Sequence, residues 1–167
     1  IRDRRGSRGL GDVYKRQNNI FKETKESEFE KKYNFITHFF GLILSLIGVS
    51  ILIYNSLDFD NSSIKNLICS LVYGSSLIFM YLSSSLYHYL IDTRYSNVLQ
   101  KLDHVSIYFL IAGSYTPPIV IYLNTEVGEN ILLIIWFMAI IGTLHKIFFF
   151  NLYKNLSLVF YLSLIHI

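Results

Sequence analysis

Apolar and polar positions along this chain fall into long blocks, not into the short stripes that mark a soluble amphipathic domain. Four apolar runs, Phe35–Tyr54, Leu67–Leu90, Val105–Leu123 and Ile131–Phe150, reach or approach the roughly 20 residues an α-helix needs to cross a hydrocarbon core. A fifth, Leu156–Ile167, would give about 18 Å of helix against a core about 30 Å thick. The polar stretches between the runs are too short for a soluble domain, and the runs share hydrophobicity but no repeated motif. Residues 18–34 read as a polar lead-in in which Glu26, Glu28 and Glu30 stand beside Lys25, Lys31 and Lys32. The expected fold is all-α, a polytopic transmembrane helix bundle with four complete spans and a partial fifth.

Composition agrees with this pattern. The 167 residues are 52% hydrophobic and 16% charged, with a mean hydropathy of +0.39, whereas a soluble domain carries about a quarter charged residues. Residues 1–17 differ from the rest, with six Lys/Arg, three Gly and almost no apolar periodicity. They and the closing Leu162–Ile167 look like translated adapter sequence and are set aside from fold reasoning, His166 included. Setting aside the six Lys/Arg and two Asp/Glu of residues 1–17 turns the net charge from +3 to −1. Nothing then points to a nucleic-acid partner, and membrane lipids are the partners expected. The single cysteine, Cys69, permits neither an intrachain disulfide nor a cysteine zinc site. It reads as a small apolar residue in a helix interface.

Loop charge predicts the orientation. Lys22, Lys25, Lys31 and Lys32 precede the first span, and Arg94 and Lys101 lie between the second and third. Lys146 and Lys154 flank the turn after the fourth. The loop at 55–66 has Asp58 and Asp60 with one Lys65, and the loop at 124–130 has Glu126 and Glu129 alone. The positive-inside rule therefore puts the N-terminus in the cytoplasm; a bacterial inner or plasma membrane is the separate expectation for its location.

That topology brings ionisable residues to one level. His38 near the start of the first span, His88 near the end of the second, Asp103 and His104 opening the third, and His145-Lys146 ending the fourth all fall near the cytoplasmic leaflet. Intramembrane ionisable residues are functional-site candidates because each needs a partner or a ligand there. Ser84 and His88, and Asn34 and His38, are four apart, so each pair shares a helix face. Ser70, Tyr73/Gly74, Leu77, Tyr81, Ser84 and His88 form a small and mostly polar stripe fit for close helix packing, as are Gly41, Gly48, Gly142 and Thr143. Two readings of His88 follow. It is either a zinc ligand, with Asp103 acting through a bound water and Ser84 steadying developing charge, or half of a His88–Asp103 pair joining two helices. His145-Lys146 reads as a snorkelling pair at the headgroups. Pro117-Pro118 predicts a kink or an early helix end, with Thr116 capping freed carbonyls.

Three ordered segments, Glu30–Gly41 (EKKYNFITHFFG), Ser84–His88 (SSLYH) and Leu102–Pro117 (LDHVSIYFLIAGSYTP), resemble the hemolysin III family. That family belongs with the progestin/adiponectin-receptor-like and alkaline ceramidase-related seven-helix membrane proteins. The resemblance implies seven helices, of which this chain would hold the N-terminal part. It also implies zinc-dependent hydrolysis of a lipid-like amide or ester from the inner leaflet. Ser84, His88 and Asp103 match the Ser-x3-His of helix two and the Asp of helix three. The family's His-x3-His of helix seven has no counterpart here, so the zinc site is expected to be incomplete. Glu30, Asn34, His38 and His104 also match family motifs, without a role that can be derived. The rival readings are a cytolytic, pore-forming protein and a receptor-like lipid sensor with a structural metal. The outer halves of the spans, mostly Ile, Leu and Phe, offer a poor lining for a pore.

Overall fold

The computed structural model of the protein describes residues 28–57, 63–148 and 163. Four long helices account for almost all of them: α1 (Glu28–Ser56), α2 (Ser63–Tyr89), α3 (Ser96–Pro117) and α4 (Glu126–Phe148). A single π-helical turn, Pro118–Leu123, continues α3. No strand occurs among the described residues. All four helices are long and apolar enough to cross a membrane, as the hydropathy blocks predict. The fifth apolar run and the basic arm at 1–17 lie outside the described residues, residue 163 excepted.

The helices run past the apolar blocks at several ends, because intrahelical hydrogen bonding does not stop where hydrophobicity does. The stretch Glu28–Asn34, expected to be lead-in, is the first two turns of α1. Glu28 and Glu30 lie in its first turn, where negative charge suits the helix dipole. The expected loop 91–102 is helical from Ser96. Asp103 and His104 therefore do not open the third helix; they sit about two turns, or about 10 Å, inside it. The loop at 124–130 shrinks similarly, because α4 begins at Glu126. Thr125 Oγ1 accepts the Gly128 N–H at 3.2 Å and so supplies a side-chain cap for the exposed amides of that helix start.

Packing proceeds in sequence order. α1 contacts α2, α2 contacts α3, and α3 contacts α4, with the π turn touching both α2 and α4. Among the described residues this makes a row of antiparallel helices whose outer faces carry exposed Ile, Leu, Phe and Tyr, the surface a lipid environment favours. Small residues set the spacing within the row, as close helix approach in lipid requires. A Cβ at Gly74 would lie 2.5 Å from Val49, one at Gly113 2.3 Å from the Ser76 hydroxyl, and one at Gly142 2.6 Å from the Tyr108 ring. Gly48 does not share this role: nothing stands within 4 Å of the position its Cβ would take. Its expected packing contact fails because the α1 face that meets α2 runs through Gly41, Ser45, Val49 and Ser56, and Gly48 lies off it. A buried hydrophobic cluster lies between α3, its π turn and α4, where Tyr108, Ala112, Ile119, Ile135 and Ala139 come together. Trp136 extends it, donating Nε1–H to Thr116 Oγ1 at 3.3 Å.

At Pro117-Pro118 the α-helical geometry ends, as expected, but the chain stays helical through a π turn. Two missing N–H donors free the carbonyls of Gly113 and Ser114, and the chain widens into the π turn, closed by Asn124 N–H on Ile119 O at 2.9 Å. Asn124 then leaves in a left-handed conformation (φ 32°), one that Asn tolerates better than most residues. Thr116 caps neither freed carbonyl. Its hydroxyl donates to Ala112 O at 2.9 Å, one residue upstream, because that is the carbonyl a helical threonine reaches.

Candidate functional site

Three helices bring the ionisable residues together at the end of the row where α1 begins, α2 ends and α3 begins. The His38 and His88 rings lie 5.7 Å apart between centroids, tilted by 35°. Tyr81 packs 6.1 Å from His38 and leans on Gly41, where a Cβ would lie 2.3 Å from the ring. The missing side chain of Gly41 is thus what lets Tyr81 sit against the histidine. Asp103 comes from α3 and is within electrostatic range of both His38 and His88. The sequence-level expectation that these residues share one depth is met for all three.

Ser84 is singled out by what its neighbours do. Ser83, Ser84 and Ser85 are all buried. Ser83 donates to Met80 O and Ser85 to Leu82 O, both at 3.1 Å, the usual self-satisfaction of a helical serine. Ser84 instead stands within electrostatic reach of the Asp103 carboxylate of α3. On the other side His104 Nδ1 lies 3.5 Å from Asp103 Oδ2, an ion-pair distance too long for a good hydrogen bond. The Asp103 side chain is 16% exposed, so the carboxylate is held between α2 and its own helix. A charge in such a place requires this kind of support.

His38 Nδ1 is buried and has no hydrogen-bond partner. A buried imidazole nitrogen without a protein partner is a point of unspent ligating or hydrogen-bonding capacity. The donor chemistry here, imidazole and carboxylate, suits zinc, but a zinc site takes at least three protein ligands. Among the described residues no group of three His, Cys, Asp or Glu side chains could hold a metal ion. The described residues therefore do not make a complete zinc site by themselves.

A cavity of about 440 Å³ opens beside His88, lined also by Glu28, Lys31, Lys32, Phe35 and Asp92. Its chief feature was not foreseen from the sequence. Lys31 Nζ is held 2.9 Å from Glu28 Oε1 and 2.8 Å from Asp92 Oδ2, tying the start of α1 to the turn between α2 and α3. The i,i+3 spacing of Glu28 and Lys31 signals the first contact, whereas the second joins residues 61 apart and leaves no mark in the sequence. Glu30 is exposed at the helix start and Asn34 is half-buried, the latter one turn before His38.

At the end of α4 the snorkelling expectation fails for Lys146, which is only 7% exposed. It lies on the face of α4 that carries Gly142 and Ala139 into the bundle, so its stem follows the core. The cation that reaches across this end is Lys101, donating to Ile147 O at 3.2 Å. Cys69 is buried, as an interface residue should be.

Comparison with known proteins places this architecture. A profile of the family described as Haemolysin-III related matches residues 27–167. The chain is 37% identical to "Hemolysin-3" of Bacillus cereus over 143 residues, covering 84% of this chain and 64% of that protein. It is 35% identical to the "Hemolysin-3 homolog" of Bacillus subtilis (strain 168) over 133 residues, covering 80% and 62%. A more distant similarity, 26% over 146 residues, covers 84% of this chain and 59% of the human "Monocyte to macrophage differentiation factor". The chain thus spans less than two thirds of the length of the curated relatives it matches. No solved structure gives a significant match.

Proposed function

Because this chain belongs to the Haemolysin-III related family of membrane proteins, we propose that it carries one wall of a membrane-embedded hydrolytic site acting on a lipid-like amide or ester. The observation that carries this reading is the largely buried Asp103 carboxylate, within electrostatic reach of Ser84 and His88, beside the paired histidines. A largely buried carboxylate next to imidazoles, one of which (His88) lines a polar cavity, is suited to proton transfer.

In this reading His88 is the ligand the chain contributes to a zinc ion, whose remaining ligands come from outside the described residues. Zinc would supply Lewis-acid polarisation of the substrate carbonyl. Asp103 orients the attacking water and accepts its proton. Ser84 keeps the carboxylate in the orientation that proton transfer needs and steadies its charge. His38, packed against His88, limits the rotation of that ring. Lys31, Glu28 and Asp92 shape the polar mouth through which a lipid headgroup approaches, at the cytoplasmic leaflet if the loop-charge orientation holds.

The test is elemental analysis of a version extended to the length of its relatives, purified in detergent, with and without His88→Ala. About one zinc per chain, lost in the variant, supports the reading. No zinc in either protein overturns it and leaves the cluster as a helix-packing element. A pore is the weaker alternative, because the described ionisable cluster occupies one end of the row and does not continue through its depth.

A further inference from the structure

The cavity of about 440 Å³ beside His88 presents groups that the hydrolytic cluster does not use. The 29 residues of α1 make a helix of about 43 Å against a hydrocarbon core of about 30 Å. Its charged residues Glu28, Glu30, Lys31 and Lys32 gather in the first turns. That end therefore emerges into the headgroup layer, and the cavity it walls faces lipid heads. Charge of both signs stands on the wall. Glu28 and Asp92 share the Lys31 ammonium, at 2.9 and 2.8 Å, so these three groups together hold one surplus negative charge. The two carboxylate side chains remain largely exposed, at 89% and 65%. Lys32, turned by about 100° from Lys31 around the helix, is exposed and lines the same cavity.

An aromatic pair completes the wall. Phe35, one turn beyond Lys31, and Tyr89, at the end of α2, lie 5.2 Å apart between ring centroids with a tilt of 37°, and both line the cavity. Aromatic faces attract ammonium groups, quaternary ones included, and carboxylates beside them add to that attraction. A lysine ammonium binds phosphate as a point charge. We propose that this cavity binds the zwitterionic head of a phospholipid, a phosphate joined to a cationic amino alcohol such as choline or ethanolamine. The cation lies against Phe35 and Tyr89, beside Glu28 and Asp92, and the phosphate pairs with Lys32. This names the head of the lipid that the hydrolytic reading leaves open, and it rests on that reading only in calling the lipid a substrate.

The experiment is equilibrium binding of radiolabelled dihexyl-ether phosphatidylcholine to the full chain in dodecyl maltoside micelles. The probe has no carboxylic ester or amide, so its binding is read without turnover and apart from the zinc content that decides the hydrolytic reading. Competitors are the same ether lipid with an ethanolamine head, the same lipid with a phosphoglycerol head, which lacks the cation, and hexyltrimethylammonium, which lacks the phosphate. One saturable site per chain is expected. The ethanolamine lipid displaces the probe, and each single-charge competitor is about ten-fold weaker or more, the loss of one of two ionic contacts. Phe35→Leu is expected to weaken the probe about two- to five-fold, the worth of an exposed cation–π contact. Lys32→Gln is expected to weaken both phosphate-bearing heads. Glu28→Gln is expected to weaken the probe while strengthening the phosphoglycerol lipid, an inversion that misfolding does not produce. Non-saturable uptake, as when residues preceding Glu28 fill the cavity, overturns the proposal. So does a single-charge competitor that matches the probe, or unchanged head selectivity in both charge variants.

Discussion

The two ends of this helix row are built from similar materials and reach different results. At the His88 end, polar groups from three helices are pulled into contact. Ser84 lies within electrostatic reach of Asp103, the His38 ring packs tilted against His88, and Tyr81 closes over Gly41. At the Pro117 end, one pair of serines joins α1 to α2, and the third helix, deprived of two backbone donors, widens into the π turn. The first end places charge and imidazole in tight packing; the second leaves a cavity of about 510 Å³, with Asn55, Asn66, Tyr73 and Ser114 in its wall. In a membrane the difference matters, since a charge needs partners there whereas carboxamides and hydroxyls need only hydrogen bonds. Close packing with ionisable groups suits chemistry, and open space tolerates added volume.

The largest effect that would break this contrast belongs to Asp103. In a version extended to the length of the relatives, Asp103→Asn removes the proton acceptor while keeping the shape of the side chain. Turnover of a lipid amide or ester is expected to fall by about 10²–10⁴-fold, with zinc content and helical circular dichroism unchanged. Equal turnover in the variant would reduce the carboxylate to a structural tie.

Packing gives the next effect. Gly41→Leu drives a side chain into Tyr81, and overpacking of this kind costs about 1–3 kcal/mol, read as thermal unfolding in micelles. Ser114→Phe at the roomy end is a change of similar volume and is expected to leave the unfolding temperature within error. If the two variants behave alike, the ends do not differ in packing as described. The smallest effect is the serine clamp. A double-mutant cycle between Ser56→Ala and Ser70→Ala should give a coupling of about 0.6 kcal/mol, typical of hydrogen bonds between membrane helices. A coupling near zero would mean that the clamp does not hold α1 to α2.

Much of this was legible in the chain itself. Four runs of membrane-crossing length announce four helices, because hydrophobic length is a local property that needs no partner to be read. Antiparallel spans with short loops then put His38, His88 and Asp103 at one depth by connectivity alone. The motif segments around Ser84–His88 and Asp103 pointed to a family, and the family profile and the Bacillus relatives bear that out.

What the tertiary structure decided is which faces meet and what lies between them. Helical hydrogen bonding carried α1 and α3 past their apolar blocks, so Asp103 stands inside a helix and not at its opening. Of three buried serines in a row, Ser83 and Ser85 bond their own helix while Ser84 lies within electrostatic reach of Asp103, a matter of rotation about the helix axis. Lys146 turns inward, Gly48 meets nothing, and Lys31 finds Asp92 across 61 residues. The two adjacent prolines announced a disturbance, but that it would be a π turn walling a cavity depended on where α1 and α2 had already packed. Hydropathy is written residue by residue and survives in one dimension. Rotation, contact and empty space arise only when helices choose each other's faces.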